Sequence, residues 1–189
     1  TNSKGCIDTA QVTITVLDKP VINLAFKDTL ICRPDVVQLN ASGTGIFSWT
    51  PLVNIVNPNT GTPTVNPATT TKYYVTLKDN GCVNNDSVQV RVVAFVTLAA
   101  INDTIICQGD AIQLNANSDG LQFNWTPVAN LDNPDIINPI AITPNTTRYF
   151  VTARIGSCFA NDFVDVTTVP YPIANAGPPQ VICYNTSAQ

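Results

Sequence analysis

Several residue types are missing from this chain, and each absence closes off a function class. The 189 residues include no histidine and no methionine. All 13 acidic residues are aspartate, so glutamate is absent as well. General acid–base chemistry is therefore left to aspartates, which fall mostly in turns where side-chain-to-backbone hydrogen bonds account for them. No serine-nucleophile motif, phosphate loop or dinucleotide fingerprint occurs. No catalytic residue is expected, and the segment does not read as an enzyme. Six cysteines without histidine, and without a CxxC pair, argue against a mixed-ligand zinc site, so no metal ligand is expected either. Charge is also scarce, at 12% of residues, with a net charge of −4 and nine basic residues scattered singly. That distribution offers no phosphate-binding footprint, and nucleic acid is not an expected partner. No apolar run approaches the ~20 residues of a membrane span. The opening "TNSKGC" does not read as a signal peptide and looks like the middle of a longer chain.

What is present favours strands. Apolar residues make up 44% of the chain, enough for a packed core. Threonine, valine, isoleucine, asparagine and proline replace the missing helix formers, a mixture suited to strands and turns. No helix-period stretch of useful length appears.

The order of the sequence shows an internal repeat. "DTLICRPDVVQLNAS" from Asp28 returns as "DTIICQGDAIQLNAN" from Asp103, and "FSWTP" from Phe47 as "FNWTP" from Phe123. "TTTKYYVT" from Thr69 matches "NTTRYFVT" from Asn145, and "GCVNNDSVQV" from Gly81 matches "SCFANDFVDV" from Ser157. The offset is 75 between Asp28 and Asp103 and 76 between Trp49 and Trp125, so one residue is inserted in between. "GCIDTAQVTITV" from Gly5 repeats the end of the unit, and "PQVIC" from Pro179 repeats its start. The sequence therefore predicts the last strand of one unit (1–18), two whole units (19–94 and 95–170) and the first strand of a fourth (171–189). The linkers near Asp18–Pro20, Ala94–Val96 and Pro170–Pro172 are short and partly proline-stiffened.

Within each unit, apolar residues alternate with polar ones. Val37, Leu39 and Ala41 share a face, copied by Ile112, Leu114 and Ala116. Phe47 and Trp49 share a face, as do Phe123 and Trp125. Tyr73, Val75 and Leu77 alternate with Tyr74, Thr76 and Lys78, and Tyr149 copies Tyr73. Val88, Val90 and Val92 complete the set, copied by Val12, Ile14 and Val16. Period two over many short segments predicts an all-β sandwich with one buried and one wet face per strand. The expected core is Trp49, Trp125, Tyr73, Tyr149, Leu39 and Leu114. Burying each Trp contributes roughly 2–3 kcal/mol.

These motifs carry a resemblance. "ANAGPPQVIC" from Ala174 looks like the opening of a PKD-type domain, an immunoglobulin-like sandwich. The series DT-[LI]-IC, QLNA, F-x-WTP, NP, TT-x-Y-[YF]-V, GC and D-S-V-x-V resembles the PKD-like repeats of Bacteroidota surface proteins, over the whole chain. Such repeats occur in gliding-motility adhesins and other exported proteins with a type IX secretion signal. The resemblance implies tandem immunoglobulin-like sandwiches in a linear extracellular array. It also implies a structural stalk, tied to neighbouring repeats and to other copies in a fibre. A second reading is a polysaccharide-binding module using outward aromatics such as Tyr74 and Phe150. A third is a spacer in a secreted hydrolase.

The cysteines recur at two positions per unit: Cys32, Cys107 and Cys183 end the "DTxIC" element, while Cys6, Cys82 and Cys158 belong to the "GC" or "SC" element. Scarcity of other ligands and the implied compartment favour structural disulfides. Pairs such as Cys82–Cys107 are separated by two whole strands, too far for the ~7 Å Cα limit of a disulfide. On the implied sandwich, two schemes stay open. One joins Cys32 to Cys158 across a junction between repeats, leaving Cys6, Cys82, Cys107 and Cys183 to repeats outside the chain. The other pairs Cys32 with Cys82 and Cys107 with Cys158 inside a unit.

Two further expectations follow from the resemblance. Bacteroidota exported proteins carry O-linked sugars on Asp-Ser/Thr followed by a small or aliphatic residue, which matches Thr9, Thr29, Ser87 and Thr104. Those positions lie on the first and last strands, which would line sugars along one edge and hinder edge-to-edge pairing. Related sandwiches bind calcium between domains, and "NSDG" at 117–120 offers oxygens, but no spaced acidic set accompanies it and an ordinary turn explains it as well.

Overall fold

A computed structural model of the chain describes residues 4–5, 9–179 and 183–184. Contacts divide the chain into two compact units. The first runs to Val96 and includes Arg154–Phe159; the second holds Thr97–Ala153 and the residues from Ala160 onward. Val96, where the first unit's main segment ends, is buried.

The first unit contains β1 (Asn23–Leu24), β2 (Asp28–Cys32), β3 (Val37–Gln38), β4 (Ala41–Ser42) and β5 (Ile46–Thr50). They are followed by β6 (Ile55–Val56), β7 (Thr64–Val65), β8 (Thr71–Asp79) and β9 (Cys82–Val93). One sheet has the order β2-β9-β8-β5. The other layer consists of β1-β4 and β3-β7-β6, where β3 and β4 are two segments of one interrupted strand. Read as letters, the layers are A-B-E-D and C-F-G, the order of a seven-stranded immunoglobulin-like sandwich. The additional β2 pairs in parallel with the last strand, from Asp28 opposite Gln89 to Cys32 opposite Val93.

The second unit repeats this plan. Its strands are β10 (Leu98–Ala100), β11 (Thr104–Cys107), β12 (Ala111–Gln113), β13 (Ala116–Ser118) and β14 (Gln122–Thr126), then β15 (Ile140–Ile142), β16 (Thr147–Ile155) and β17 (Cys158–Val169). The sheets are β11-β17-β16-β14, β10-β13 and β12-β15. A single bridge, Leu131 to Ala141, stands where β6 pairs with β7 in the first unit.

The core of each unit lies between its layers. Trp49, Tyr73, Leu39, Val75 and Val90 are fully buried in the first; Trp125, Tyr149, Leu114, Val151 and Val166 are fully buried in the second. Each Trp sits on strand C, and its polar edge is satisfied locally. Trp49 Nε1 donates to the Thr60 carbonyl at 2.9 Å, and Trp125 Nε1 donates to the Ile136 carbonyl at 3.1 Å. A buried indole N–H left unpaired would cost about 1–3 kcal/mol, so these loop carbonyls fix where the C–D connection must run.

Two of the expected strands, at the two ends of the sequence, are not formed among the described residues. Val12, Ile14 and Val16 alternate as a strand would, yet residues 9–22 form no strand, and those three side chains are over 80% exposed. Period two supplies a face, but a strand exists only through a ladder to a neighbour, and no described strand pairs with this segment. Similarly, residues 171–179 form no strand, and residues 180–182 of the expected final one lie outside the described residues.

Candidate functional site

The distinctive chemistry gathers at one end of the first unit, where β2 runs out. Cys32, 2% exposed, ends β2 and enters the turn Arg33–Pro34–Asp35, closed by Asp35 N donating to the Cys32 carbonyl at 2.7 Å. Against it lies the β16–β17 hairpin tip, Ile155–Gly156–Ser157–Cys158, which packs as part of this unit. Cys32 and Cys158 form a disulfide, with Cα atoms 5.4 Å apart and a sequence separation of 126.

The alternative pairing inside one unit is excluded by register. Cys32 stands opposite Val93, while Cys82 lies 11 residues back along β9 (93 − 82). At ~3.3 Å per residue that is about 36 Å, five times the span of a disulfide. The same offset separates Cys107, opposite Val169, from Cys158. Cys82 and Cys107 carry half-buried thiols outside any disulfide among the described residues. Cys183 is exposed, and Cys6 lies outside the described residues.

Asp35 organises the clasp. Its Oδ2 accepts from the backbone N–H of Ser157 at 3.0 Å and of Cys32 at 3.2 Å. The hydrogen bonds from Ser157 hold this carboxylate below its ordinary pKa against the opposing effect of burial, with the smallest contribution from the Cys32 N–H. Gly156 makes the approach feasible: its φ is +55°, and a Cβ there would overlap Asp35 Oδ2. Sequence reasoning did not single out Asp35. The available signal was an aspartate three residues after cysteine in both repeats, at Asp35 and Asp110.

The other expected sites are dispersed. Thr9 is exposed. Ser87 lies on the outer face of β9, between buried Val88 and half-buried Asp86. Thr29 stands opposite buried Val90, and Thr104 opposite buried Val166, so both half-buried threonines occupy the inner face of their sheets. The first and last strands do lie side by side, but parallel register places Thr29 and Ser87 on opposite faces rather than along one line. At 117–120, Asp119 is engaged in its turn: it accepts from Thr97 N at 2.7 Å, and that bond lowers its pKa. No group of three or more metal-ligating side chains gathers among the described residues.

The outward aromatics differ between repeats. Tyr74 is half exposed, with the Lys72 ammonium 5.6 Å from its ring. Phe150 is equally exposed and pairs with Phe163 at 6.1 Å between centroids and a tilt of 54°. The Arg148 guanidinium lies 4.3 Å over Phe163 and grips Asp165 through two bonds of 2.7 Å.

No protein-family model and no curated protein sequence matches the chain. Solved structures do. The I-band fragment of titin is similar over 81% of this chain and 66% of its own length, at 14% identity and a TM-score of 0.43. Extracellular domains 3–5 of Drosophila OTK cover 79% and 62%, at 10% identity and a TM-score of 0.42. A titin tandem of immunoglobulin domains covers 80% and 97%, at 12% identity and a TM-score of 0.35. The fold assignment rests on the strand order described above. No helix among the described residues is long and apolar enough to cross a membrane.

Proposed function

We propose that this chain is a stalk segment of a long extracellular bacterial surface protein, a fibre or adhesin built from PKD-like repeats of the Bacteroidota type and exported through the type IX route. The observation that carries the reading is the Cys32–Cys158 bond, which ties the first strand of one repeat to the hairpin tip of the next. Such a bond suits an oxidising compartment and a load-bearing role. On this reading the segment performs no chemistry and needs no cofactor, its partners are neighbouring repeats, and Cys6, Cys82, Cys107 and Cys183 pair with repeats beyond it. O-linked sugars would be accommodated most readily at exposed Thr9, less so at half-buried Ser87 on the outer face of β9, and would require local opening at Thr29 and Thr104 on the inner faces.

Immunogold labelling of the source cells with an antibody to this chain tests the proposal. Label on intact cells, displaced outward from the envelope, is the expected result. Label that appears only after lysis would contradict it. The second reading, a polysaccharide-binding module, is favoured by one observation: the exposed Phe150–Phe163 pair beside the Arg148–Asp165 fork. Retention of soluble polysaccharide by the immobilised chain, abolished by Phe150→Ala, would support it over the stalk.

A further inference from the structure

Among the described residues, the turn after Cys32 meets the hairpin tip that precedes Cys158. Asp35 Oδ2 faces the backbone of Gly156–Ser157, takes the Ser157 N–H, and occupies the space that a side chain at 156 would need. The corresponding residue of the first repeat's tip is Asn80, two positions before Cys82. Asn80 has a similar backbone, with φ at 45°, so the conformation itself is open to asparagine. What asparagine brings is the Cβ that Gly156 lacks. The second repeat's turn is built the same way: Asp110 N donates to the Cys107 carbonyl at 3.0 Å, as Asp35 N does to Cys32. Asp110 binds the Tyr171 hydroxyl through Oδ1, whereas Asp35 meets its tip through Oδ2.

We propose that Asp35 is a positioning residue that selects the disulfide partner of Cys32, accepting the Gly156–Ser157–Cys158 tip and rejecting a tip with a side chain two residues before its cysteine, such as Asn80–Gly81–Cys82. The inference rests on the clasp reading of the bond but not on the cell-surface role, so each can fail without the other. In chemical terms, the Cys32 thiolate attacks a small-molecule disulfide such as oxidised glutathione and releases one glutathione thiolate. The Cys158 thiolate then displaces the second, so two protein thiols lose two protons and two electrons and the oxidant becomes two thiols. Asp35 takes no part in the electron transfer. It holds the tip so that Cys158 Sγ, rather than another thiolate, is in line for the second displacement. Selection then works through exclusion as well as attraction.

The test is oxidative folding of the whole reduced chain in a glutathione buffer, with acid quenching and non-reducing peptide mapping of the Cys32–Cys158 fraction. Gly156→Asn should slow formation of the bond tenfold or more. Adding Asp35→Ala to it should restore most of the rate, a recovery that a merely structural aspartate would not give. Emission from Trp49 and Trp125 in each variant reports whether both cores are folded. Oxidation of Gly156→Asn at the unsubstituted rate, or a double variant as slow as the single, would overturn the proposal. A second arm avoids touching the tip at 156. In a Cys158→Ser chain, Asn80→Gly should allow disulfide-linked dimers through Cys32 of one copy and Cys82 of another. The chain keeping Asn80 should stay monomeric. Equal dimer, or none, in the two chains would also count against selection.

Discussion

The two repeats are built on one pattern and differ where the pattern meets its surroundings. Inside, they match closely. Trp49 and Trp125 each bond a loop carbonyl, and Thr76–Asn85 and Thr152–Asn161 form the same outward side-chain pair at 2.8 Å. Outside, the first repeat presents Lys72, Tyr74, Ser87 and Gln89, while the second presents Arg148, Phe150, Phe163 and Asp165 at the same positions. At the tips, Asn80–Gly81 stands open whereas Gly156–Ser157 is gripped by Asp35. Core positions are constrained by packing against many neighbours, so duplication leaves them alike. Faces and tips are constrained only by what they touch, and there the copies have become different objects.

The comparison can be sharpened by substitution. The largest effect is expected in the shared core: Trp49→Ala and Trp125→Ala should each remove about 3–5 kcal/mol from their own unit. Chemical denaturation followed by the remaining Trp would show whether the other unit keeps its midpoint. Next comes the clasp. Cys32→Ser should cost about 2–4 kcal/mol on the usual scale for a structural disulfide, read as a lower denaturant midpoint of the first unit, while Cys82→Ser leaves it unchanged.

The outer faces should separate the copies more mildly. Arg148→Ala should lower Tm in dilute buffer, with the difference shrinking in 1 M salt, whereas Lys72→Ala should do neither. The paired Arg148 holds Asp165 below its ordinary pKa. Its contribution is therefore full above the ordinary carboxylate range and is lost as pH falls through the lowered value. An Asp165→Asn chain should lack that acid-side loss in a Tm–pH profile.

The smallest effect concerns the buried tyrosines. Tyr73 OH reaches the Val53 carbonyl at 3.5 Å, at the limit of a hydrogen bond, while the buried Tyr149 OH has no partner among the described residues. Tyr149→Phe should therefore be neutral or slightly stabilising, and less costly than Tyr73→Phe. A larger loss for Tyr149→Phe would reveal a partner the structure does not show.

Much of this was legible in the sequence because the signals were local. Alternation placed Leu39, Trp49 and Tyr73 on one side of their strands, and the repeat marked two sandwiches. The Cys32–Cys158 bond remained one of two schemes, because choosing it required knowing at which end of a sandwich each cysteine falls. What stayed hidden depended on register or on missing neighbours. Thr29 faces inward only because β2 runs parallel to β9 with Thr29 opposite Val90. Val12, Ile14 and Val16 carry a strand's pattern without a ladder to join. Asp35 looked like another turn aspartate, since its second role arises 122 residues away at Ser157.

The central claim is that the clasp makes a covalent short cut past most of the chain. Pulling the oxidised chain from its two ends should leave the stretch between Cys32 and Cys158, a sequence separation of 126, out of the force path. The measurement is single-molecule extension with and without a reductant. Reduction should add roughly 420–450 Å of contour length, at 3.3–3.6 Å per residue. Full extension of the unreduced chain, with no gain on reduction, would contradict the account.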